Sequence, residues 1–197
     1  MSNNEPNDTA NPFNRFVGFH VRQTPMTADE HVRAERAQVI RDEIDELVSV
    51  AGTSFLDRSP VIGAINPIAI PMTITTSTDA TGRVNVVGRV TFGSAYEGPP
   101  GCVHGGFIAA YFDEVCGVAQ AITGNPGMTV NLSIDYRTPT PLHKPLEFRA
   151  YVVSTEKRKI ITAASLYHGE TLCAEAIGIF VSMRPEVFQR LTQLRNA

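Results

Sequence analysis

The middle of the chain holds a long apolar segment that restricts the fold more than any other feature. From Pro99 to Ile134 the only charged residues, with histidine taken as neutral, are Asp113 and Glu114. Residues 101–122 read as a helix within this segment, and a helix with so few charges is expected to be buried. An acid in such a place is usually paired or functional, because a bare buried carboxylate is costly. The sequence therefore predicts a buried central helix that carries a candidate catalytic acid.

Strand patterns lie on both sides of the predicted helix. Two short runs, 72–75 and 84–92, flank the turn signal Asp79-Ala80-Thr81-Gly82. After the helix, Met128 to Tyr136 alternates apolar with polar residues, as a strand with one polar face does. A hairpin (146–154 and 160–167), a final strand (171–183) and a short helix from Pro185 complete the pattern. Strands grouped around one helix predict an α+β fold with an antiparallel sheet of about six strands.

The chain before the first strand carries a further helical pattern. Thr27-Ala28-Asp29-Glu30 fits a capping box, and apolar residues at helical spacing continue to Val48. This amphipathic helix either packs on a larger body or serves as a lid, and packing is the simpler interpretation. The expected organisation is a tail and amphipathic helix over residues 1–55, one domain over 56–184 and a C-terminal helix over 185–197.

Charge and cysteine content exclude several classes of function. The 197 residues carry a net charge of −3, which gives no field that favours nucleic acid or an anionic membrane. The N-terminus has no basic start and no apolar run is long enough to span a membrane, so we expect a cytoplasmic protein without membrane insertion. Three cysteines without a CxxC motif fit reduced thiols. The histidines lack metal-ligand spacing, so we expect no metal. We also expect no cofactor.

The predicted central helix divides into a small-residue face and a bulky face. At about 100° per residue, the positions near Asp113 are small or polar. They are Gly106, Ala109, Ala110, Cys116, Gly117 and Gln120. Small residues could let the helix press closely on a sheet, or they could leave a groove through which a substrate reaches the carboxylate. Both interpretations fit the sequence.

The central helix opens on His104-Gly105-Gly106, where the backbone itself can contribute to chemistry. Helix N-termini leave N–H groups unsatisfied and carry a positive dipole, and glycine lets a ligand approach the backbone closely. This arrangement stabilises a developing oxyanion. On its own, however, a glycine pair in a loop is usually a turn.

Three motifs together resemble the hotdog-fold acyl-CoA thioesterases of the PaaI-like branch. They are His104-Gly105-Gly106 followed after six residues by Asp113, the run from Gly127 to Leu132, and Tyr136-Arg137-Thr138-Pro139. The resemblance covers residues 72–183, somewhat over half of the chain. It implies a long central helix wrapped by a curved antiparallel sheet, with active sites at the interface of a homodimer or a dimer of dimers. The implied substrate is an acyl-CoA thioester.

The resemblance also implies roles for single residues. Asp113 would act as general base on water or as nucleophile, and the backbone N–H of Gly105 would bind the thioester carbonyl. The hydroxyl of Thr129, reaching in from the partner subunit, would assist, and His104 would shape the loop at the helix start. The remaining implied substrate contacts include three basic residues for the CoA phosphates. They are Gly106, Asn131, Asp135, Arg137, Arg158 and Lys159.

One position departs from the family pattern. Some relatives carry Asn or Gln six residues before the histidine of the glycine-rich motif, where the amide helps to polarise the carbonyl. Here that position is Gly98, so side-chain help from it is missing while the backbone contribution remains.

Other functions of the same fold fit less well. Hotdog hydratases use Asp and His five residues apart, whereas His104 and Asp113 are nine apart and so about 180° apart on one helix. Fatty-acid dehydratases carry a proline-rich loop after their histidine, and this chain does not. Cys116 shares the face of Asp113, but no histidine lies within a turn of it, so a core cysteine is the simpler interpretation. A non-catalytic acyl-CoA-binding hotdog protein stays open as the alternative, although the pair of Asp113 and Thr129 favours catalysis.

Overall fold

The computed structural model describes residues 28–29, 31–32, 35–36, 38–39, 59–63, 66, 69–124 and 126–195. The chain divides into two compact units, Met1–Glu46 and Leu47–Ala197. In the first unit the described residues are helical, as the capping box predicts. The predicted tail and the rest of the N-terminal helix lie outside the described residues. The division of the chain at residues 55 and 184 stays a prediction.

The second unit contains a single antiparallel sheet and two α-helices. The strands are β1 Thr73–Thr78, β2 Val84–Val90, β3 Gly127–Tyr136, β4 Leu146–Glu156, β5 Lys159–His168 and β6 Thr171–Ser182. The helices are α1 Gly105–Ala121 and α2 Pro185–Arg195, with a short 3₁₀ turn at Ser94–Tyr96. The order across the sheet is β1-β2-β4-β5-β6-β3. The predicted α+β class, the six strands and both helices are confirmed. No helix in the described parts of the chain is long and apolar enough to cross a membrane.

The core lies between α1 and one face of the sheet, called here the inner face. Its largest buried side chains come from both layers: Tyr111, Phe112 and Val115 on α1, and Phe92, Phe148, Leu146, Ile160, Leu166 and Phe180 on or beside the strands. Gly178 on β6 lets the helix approach closely, because a Cβ there would lie 3.4 Å from the Cβ of Cys116. The sheet therefore supplies the close contact with α1.

Helix α1 is buried where it packs on the sheet, as predicted, but its other positions are exposed or partly buried. Phe107, which the helical wheel places on the bulky side, is 40% exposed. Residues on the small-residue face, including Ala109, Ala110 and Gly117, are only partly buried. The physical reason is that the sheet covers one side of the helix only. Cys116 and Gln120 of the small-residue face are buried, whereas the other members of that face are exposed or partly buried.

Strand β3 forms one edge of the sheet and pairs only with β6. The pairing shifts between Thr129, opposite Phe180, and Asn131, opposite Ile179, so Val130 is an extra residue in a β-bulge. Because directly paired residues share a face, Thr129 lies on the inner face with buried Phe180. Simple alternation placed Thr129 on the polar face with Asn131, and the bulge corrects that assignment.

Substituting Gly178 tests the close contact between sheet and helix. An added Cβ would lie 2.7 Å from Thr162 Oγ1 and 2.8 Å from Phe180 Cε2, and both side chains are buried. We expect Gly178→Ala to lower the free energy of unfolding by about 1–3 kcal/mol, as overpacking does. Gly93→Ala is the matched control, since nothing lies within 4 Å of its Cβ position. Urea denaturation of both variants measures the difference, and equal stabilities would show that the contact is not tight.

Candidate active site

Asp113 lies in the middle of α1 and is only partly buried. The hydroxyl of Thr129 donates a hydrogen bond of 2.8 Å to its Oδ1 atom. Among the described residues no group donates to Oδ2, so this oxygen is available to take a proton or to attack a carbonyl. A carboxylate held at one oxygen and open at the other is suited to act as a general base or as a nucleophile.

The origin of Thr129 differs from the expectation. The resemblance implied that this hydroxyl reaches Asp113 only from a partner subunit, and that is wrong, because the hydrogen bond forms within one chain. The bulge at Val130 is the physical reason, since it turns Thr129 onto the inner face of the sheet, where α1 packs. The acid and its hydroxyl partner therefore belong to the same subunit.

Glu114, next to Asp113, has a different environment. Its Oε1 atom accepts a hydrogen bond of 2.7 Å from the hydroxyl of buried Ser59. Burial raises the pKa of Glu114, the adjacent charge of Asp113 raises it further, and the Ser59 bond opposes both effects. One turn away, the Tyr111 hydroxyl lies 2.7 Å from the Ile70 carbonyl, so both side chains fasten the segment before β1 to the helix. Glu114 is thus engaged in structure.

The start of α1 leaves one backbone donor free. His104 is the N-cap residue, and its Nδ1 atom accepts from the N–H of Gly106 at 3.0 Å. The N–H groups of Phe107 and Ile108 donate to the His104 carbonyl. The N–H of Gly105 donates to none of the described residues. Three of the first four donors are therefore satisfied, and Gly105 is left to bind a ligand.

Tyr136 at the end of β3 fixes the residue that carries this free donor. Its hydroxyl donates a hydrogen bond of 2.8 Å to the Gly105 carbonyl. A cavity of about 420 Å³ opens beside Gly105. Its walls are mainly apolar and include Cys102, Val103, Ile108, Tyr136 and Pro139. Gly105, which carries the free donor, therefore borders a space that can hold an apolar group.

Gly105 and Asp113 are too far apart to act on one carbonyl within a chain. They are eight residues apart on α1, which corresponds to about 12 Å along the helix axis. An oxyanion donor and a general base must both lie within about 3 Å of the reacting atoms. Within one chain, the oxyanion donor and the acid therefore lie at two separate places and cannot form one site.

The predicted CoA contacts are also divided. Arg137, beyond the end of β3, forms ion pairs with Asp135 at 3.3 Å and with Glu175 at 3.1 Å. Arg158 lies in the β4–β5 turn and donates to the Ser182 carbonyl, opposite the start of β3, with Lys159 the next residue. The length of β3, about 30 Å, therefore separates the two groups.

Two predicted substrate contacts lie on the outer face of the sheet. Asn131 pairs with Ile179 and Asp135 pairs with Glu175, and both project from the outer face. Within one chain the sheet therefore stands between these two side chains and Asp113. Their part in substrate binding stays a prediction, and Asp135 lies beside Arg137, where it was expected.

Gly98 and Cys116 have plain structural explanations. A Cβ at Gly98 would lie 2.8 Å from the Cα of His104, so no amide side chain fits where relatives carry one. Cys116 is fully buried, and burial raises the pKa of its thiol to about 11. A nucleophilic cysteine is therefore excluded, and Cys116 belongs to the core. In the described parts of the chain, no three His, Cys, Asp or Glu residues group as metal ligands.

Three residues of this region were given no role from the sequence. Tyr136 counted as an apolar residue of an alternating strand and as the first residue of a family motif, and its hydroxyl in fact reaches Gly105. Ser59 and Glu175 have no local signal, because each meets its partner, Glu114 or Arg137, across a long stretch of chain. Only the pairing of strands and the path of the segment before β1 place them.

Comparison with known proteins shows the family and the fold of the chain. The family model described as "Thioesterase superfamily" matches residues 100–175, which include α1, β3 and β4. The crystal structure of a thioesterase superfamily protein is 33% identical, with a TM-score of 0.61 over 85% of this chain and 90% of that one. A Streptococcus mutans protein bound to acetyl CoA shares the fold alone, with a TM-score of 0.52 at 17% identity over 57% of this chain and 88% of its own.

A curated relative is similar over the same region. The Xenopus laevis protein named acyl-coenzyme A thioesterase THEM4 is 34% identical over 95 residues, which is 47% of this chain and 43% of that protein. The chain thus spans less than half of the length of this relative. The six-stranded antiparallel sheet with its central helix is the hotdog fold of these neighbours.

The raised pKa of Glu114 predicts a pH-dependent effect on stability. A carboxyl whose pKa is raised on folding favours the neutral form, so the folded state is penalised once the pH exceeds the unfolded value near 4.5. Glu114→Gln keeps an acceptor for Ser59 and removes the charge. We expect it to be more stable than wild type at pH 7, with the gain disappearing as the pH falls below about 4.5. Denaturant titrations at pH 7 and pH 4 measure the gain in stability, with exposed Glu170→Gln as control. A gain that is equal at the two pH values would contradict the prediction.

Proposed function

Since the chain belongs to the thioesterase superfamily, we propose that it hydrolyses acyl-CoA thioesters to a free acid and CoA. The observation that carries the proposal is the Asp113 carboxylate on the open, small-residue face of α1, held by Thr129 at 2.8 Å. The name of the Xenopus laevis relative and the acetyl CoA in the Streptococcus mutans structure support this class of substrate.

The chemistry requires a base or nucleophile and an oxyanion donor. As a base, Asp113 removes a proton from water, and the resulting hydroxide adds to the thioester carbonyl carbon. The carbonyl oxygen becomes an oxyanion, which the free N–H of Gly105 stabilises. The C–S bond then breaks, and the CoA thiolate takes the proton from Asp113. As a nucleophile, Asp113 would instead add to the carbonyl carbon and expel the CoA thiolate, which leaves a mixed anhydride. Water then hydrolyses the anhydride to the free acid and the Asp113 carboxylate, and the released proton goes to the CoA thiolate.

The active site requires two copies of the chain. Because about 12 Å of helix separates Gly105 from Asp113, one subunit cannot supply both groups to one carbonyl. We infer that the partner subunit's Gly105 meets Asp113. Strand β3 offers the means, since it is an uncovered edge strand with Met128 and Val130 more than half exposed. Such an edge pairs readily with a second copy about a two-fold axis.

An antiparallel pairing of two β3 strands joins the divided groups. If the two-fold axis passes near the middle of β3, the partner's Tyr136 lies opposite Thr129 on the inner face. Tyr136 is hydrogen-bonded to Gly105, and Thr129 is hydrogen-bonded to Asp113. The pairing therefore brings the free N–H of one subunit close to the acid of the other. The same pairing brings the partner's Arg137 towards Arg158. One symmetry operation therefore assembles both halves of the site.

The CoA phosphates fit best at Arg158 and Lys159. The guanidinium of Arg158 donates only to a neutral carbonyl, so within the described residues its charge is not compensated by a carboxylate. Arg137, in contrast, already pairs with Asp135 and Glu175. Phosphate recognition by arginine uses the same donors that Arg158 now gives to Ser182. Arg137 therefore contributes less to this contact than Arg158 and Lys159.

Substituting the two adjacent acids tests the assignment of the base. Asp113→Asn keeps the size of the side chain and removes its basicity, so kcat should fall by roughly 10²–10⁴. Glu114→Gln is the matched control and should keep kcat within a few-fold, because Glu114 binds Ser59. Thiol release from a series of acyl-CoAs of increasing chain length is the measurement. Wild-type protein that binds acyl-CoA but releases no thiol would favour the non-catalytic binding protein instead.

Mixed dimers test the division of the site between subunits. Gly105→Pro removes the free N–H, and proline is favoured at the first position of a helix, so the fold should persist. Gly105→Ala keeps the N–H and is the control. Each of Asp113→Asn and Gly105→Pro should be nearly inactive alone. A purified mixed dimer contains one site with both groups intact, so it should recover about half of the wild-type activity. A mixed dimer as inactive as its parents would mean that both groups act within one chain.

A further inference from the structure

Two arginines and one glutamate form a cluster on the outer face of the sheet. Arg89 on β2 pairs directly with Glu147 on β4, and Glu147 pairs with Tyr167 on β5, so these three side chains form a row across three strands. The residue that precedes each of them along its strand is buried on the inner face. Within one chain the sheet therefore separates this cluster from Asp113 on α1.

A single carboxylate serves both arginines of the cluster. Nε and Nη2 of Arg89 each lie 2.8 Å from Oε2 of Glu147, and Nε of Arg149 lies 2.7 Å from Oε1. Within the described residues neither arginine pairs with a second carboxylate. Two positive charges thus share one negative charge, whereas Arg137 pairs with two carboxylates. The cluster therefore keeps one positive charge that is not compensated.

The guanidinium groups are already positioned to bind an anion. Cζ of Arg149 lies 4.7 Å from the centre of the Tyr167 ring, and its Nε is bound to Glu147, so the plane of the group is fixed. Its two terminal nitrogens donate to none of the described residues. The side chains of Arg89 and Arg149 are 57% and 55% exposed, whereas that of Glu147 is 24% exposed. An approaching anion therefore meets guanidinium donors before it meets the carboxylate.

A cavity of about 440 Å³ adjoins the cluster. This volume lies in the range of roughly 300–1,000 Å³ that is typical of sites for small ligands. Besides the charged side chains, its walls include the apolar groups of Pro71, Val90, Pro145, Leu146 and Tyr167. A ligand that matches both parts of the wall has one negative charge at one end and a small apolar group at the other.

We propose that this cavity binds a small organic carboxylate, with its head on Arg89 and Arg149 and its apolar part against Pro71 and Pro145. A carboxylate carries one negative charge, which equals the excess of the cluster, and it accepts the paired N–H donors of a guanidinium in good geometry. Inorganic phosphate has no apolar part. The free acid from the proposed hydrolysis belongs to this class of ligand, but the site rests on its own contacts and does not depend on that function.

Hexanoate is a suitable probe, because it has one carboxylate and a short apolar chain. We expect it to shift the ¹⁵Nε resonances of Arg89 and Arg149. Arg89→Gln and Arg149→Gln should each raise its Kd, measured by calorimetry, at least about tenfold, since a charge-assisted contact is lost. Both arginines are exposed, so the variants should keep the melting temperature of the wild type within a few degrees. Arg83→Gln is the matched control and should leave the Kd unchanged, because Arg83 also lies over a tyrosine ring, at 4.5 Å, but outside the cluster.

Hexanol and inorganic phosphate each lack one part of the proposed ligand, and both should bind at least about tenfold more weakly than hexanoate. Hexanol that binds as tightly would overturn the role of the arginines, and phosphate that binds as tightly would overturn the role of the apolar wall. Hexanoate held at the active site instead would respond to Asp113→Asn and not to Arg149→Gln, which would also overturn the proposal. Wild-type protein that binds hexanoate as expected but releases no thiol from acyl-CoA would overturn only the hydrolysis.

Discussion

The hydrogen bond between Thr129 and Asp113 joins the edge strand to the central helix, and the rest of the site depends on it. It exists because Val130 is an extra residue that turns Thr129 onto the inner face. Two further hydrogen bonds connect β3 to α1. The N–H of Gly127 donates to Gln120 at 2.9 Å, and Tyr136 donates to the carbonyl of Gly105. The edge strand β3, which pairs with β6 on one side, is thus also held to α1 near both of its ends.

The distance along that helix is the reason why the proposed active site needs two subunits. Eight residues separate the free backbone donor from the acid, and about 12 Å cannot be closed by side-chain movement. Arg137 and Arg158 are separated in the same way. Arg137 follows the end of β3, and Arg158 lies beside its start. A two-fold axis across β3 relates the ends of one strand to the opposite ends of the other. One two-fold axis therefore brings Gly105 close to Asp113 and Arg137 close to Arg158, in each case from different subunits. For this reason we favour a dimer formed through β3.

Sequence periodicity predicted the elements well, because it depends on local pattern alone. The lack of charge between Pro99 and Ile134 marked the central helix and its acid, and alternation marked β3. The face of each β3 residue was not predictable, since the bulge has no signature in the run from Thr129 to Leu132. The contacts of Ser59 and Tyr136 also could not be predicted, because they depend on the path of distant segments.

The structure gives the small residues on α1 two different roles. Cys116 serves close packing, since it is fully buried and a Cβ added at Gly178 on the sheet would lie 3.4 Å from its own Cβ. Phe112 and Val115 are buried against the strands as well. Ala110 and Gly117 are only partly buried, like Asp113. Packing therefore uses one edge of the small-residue face, and the space beside the acid is left for a substrate or a second subunit.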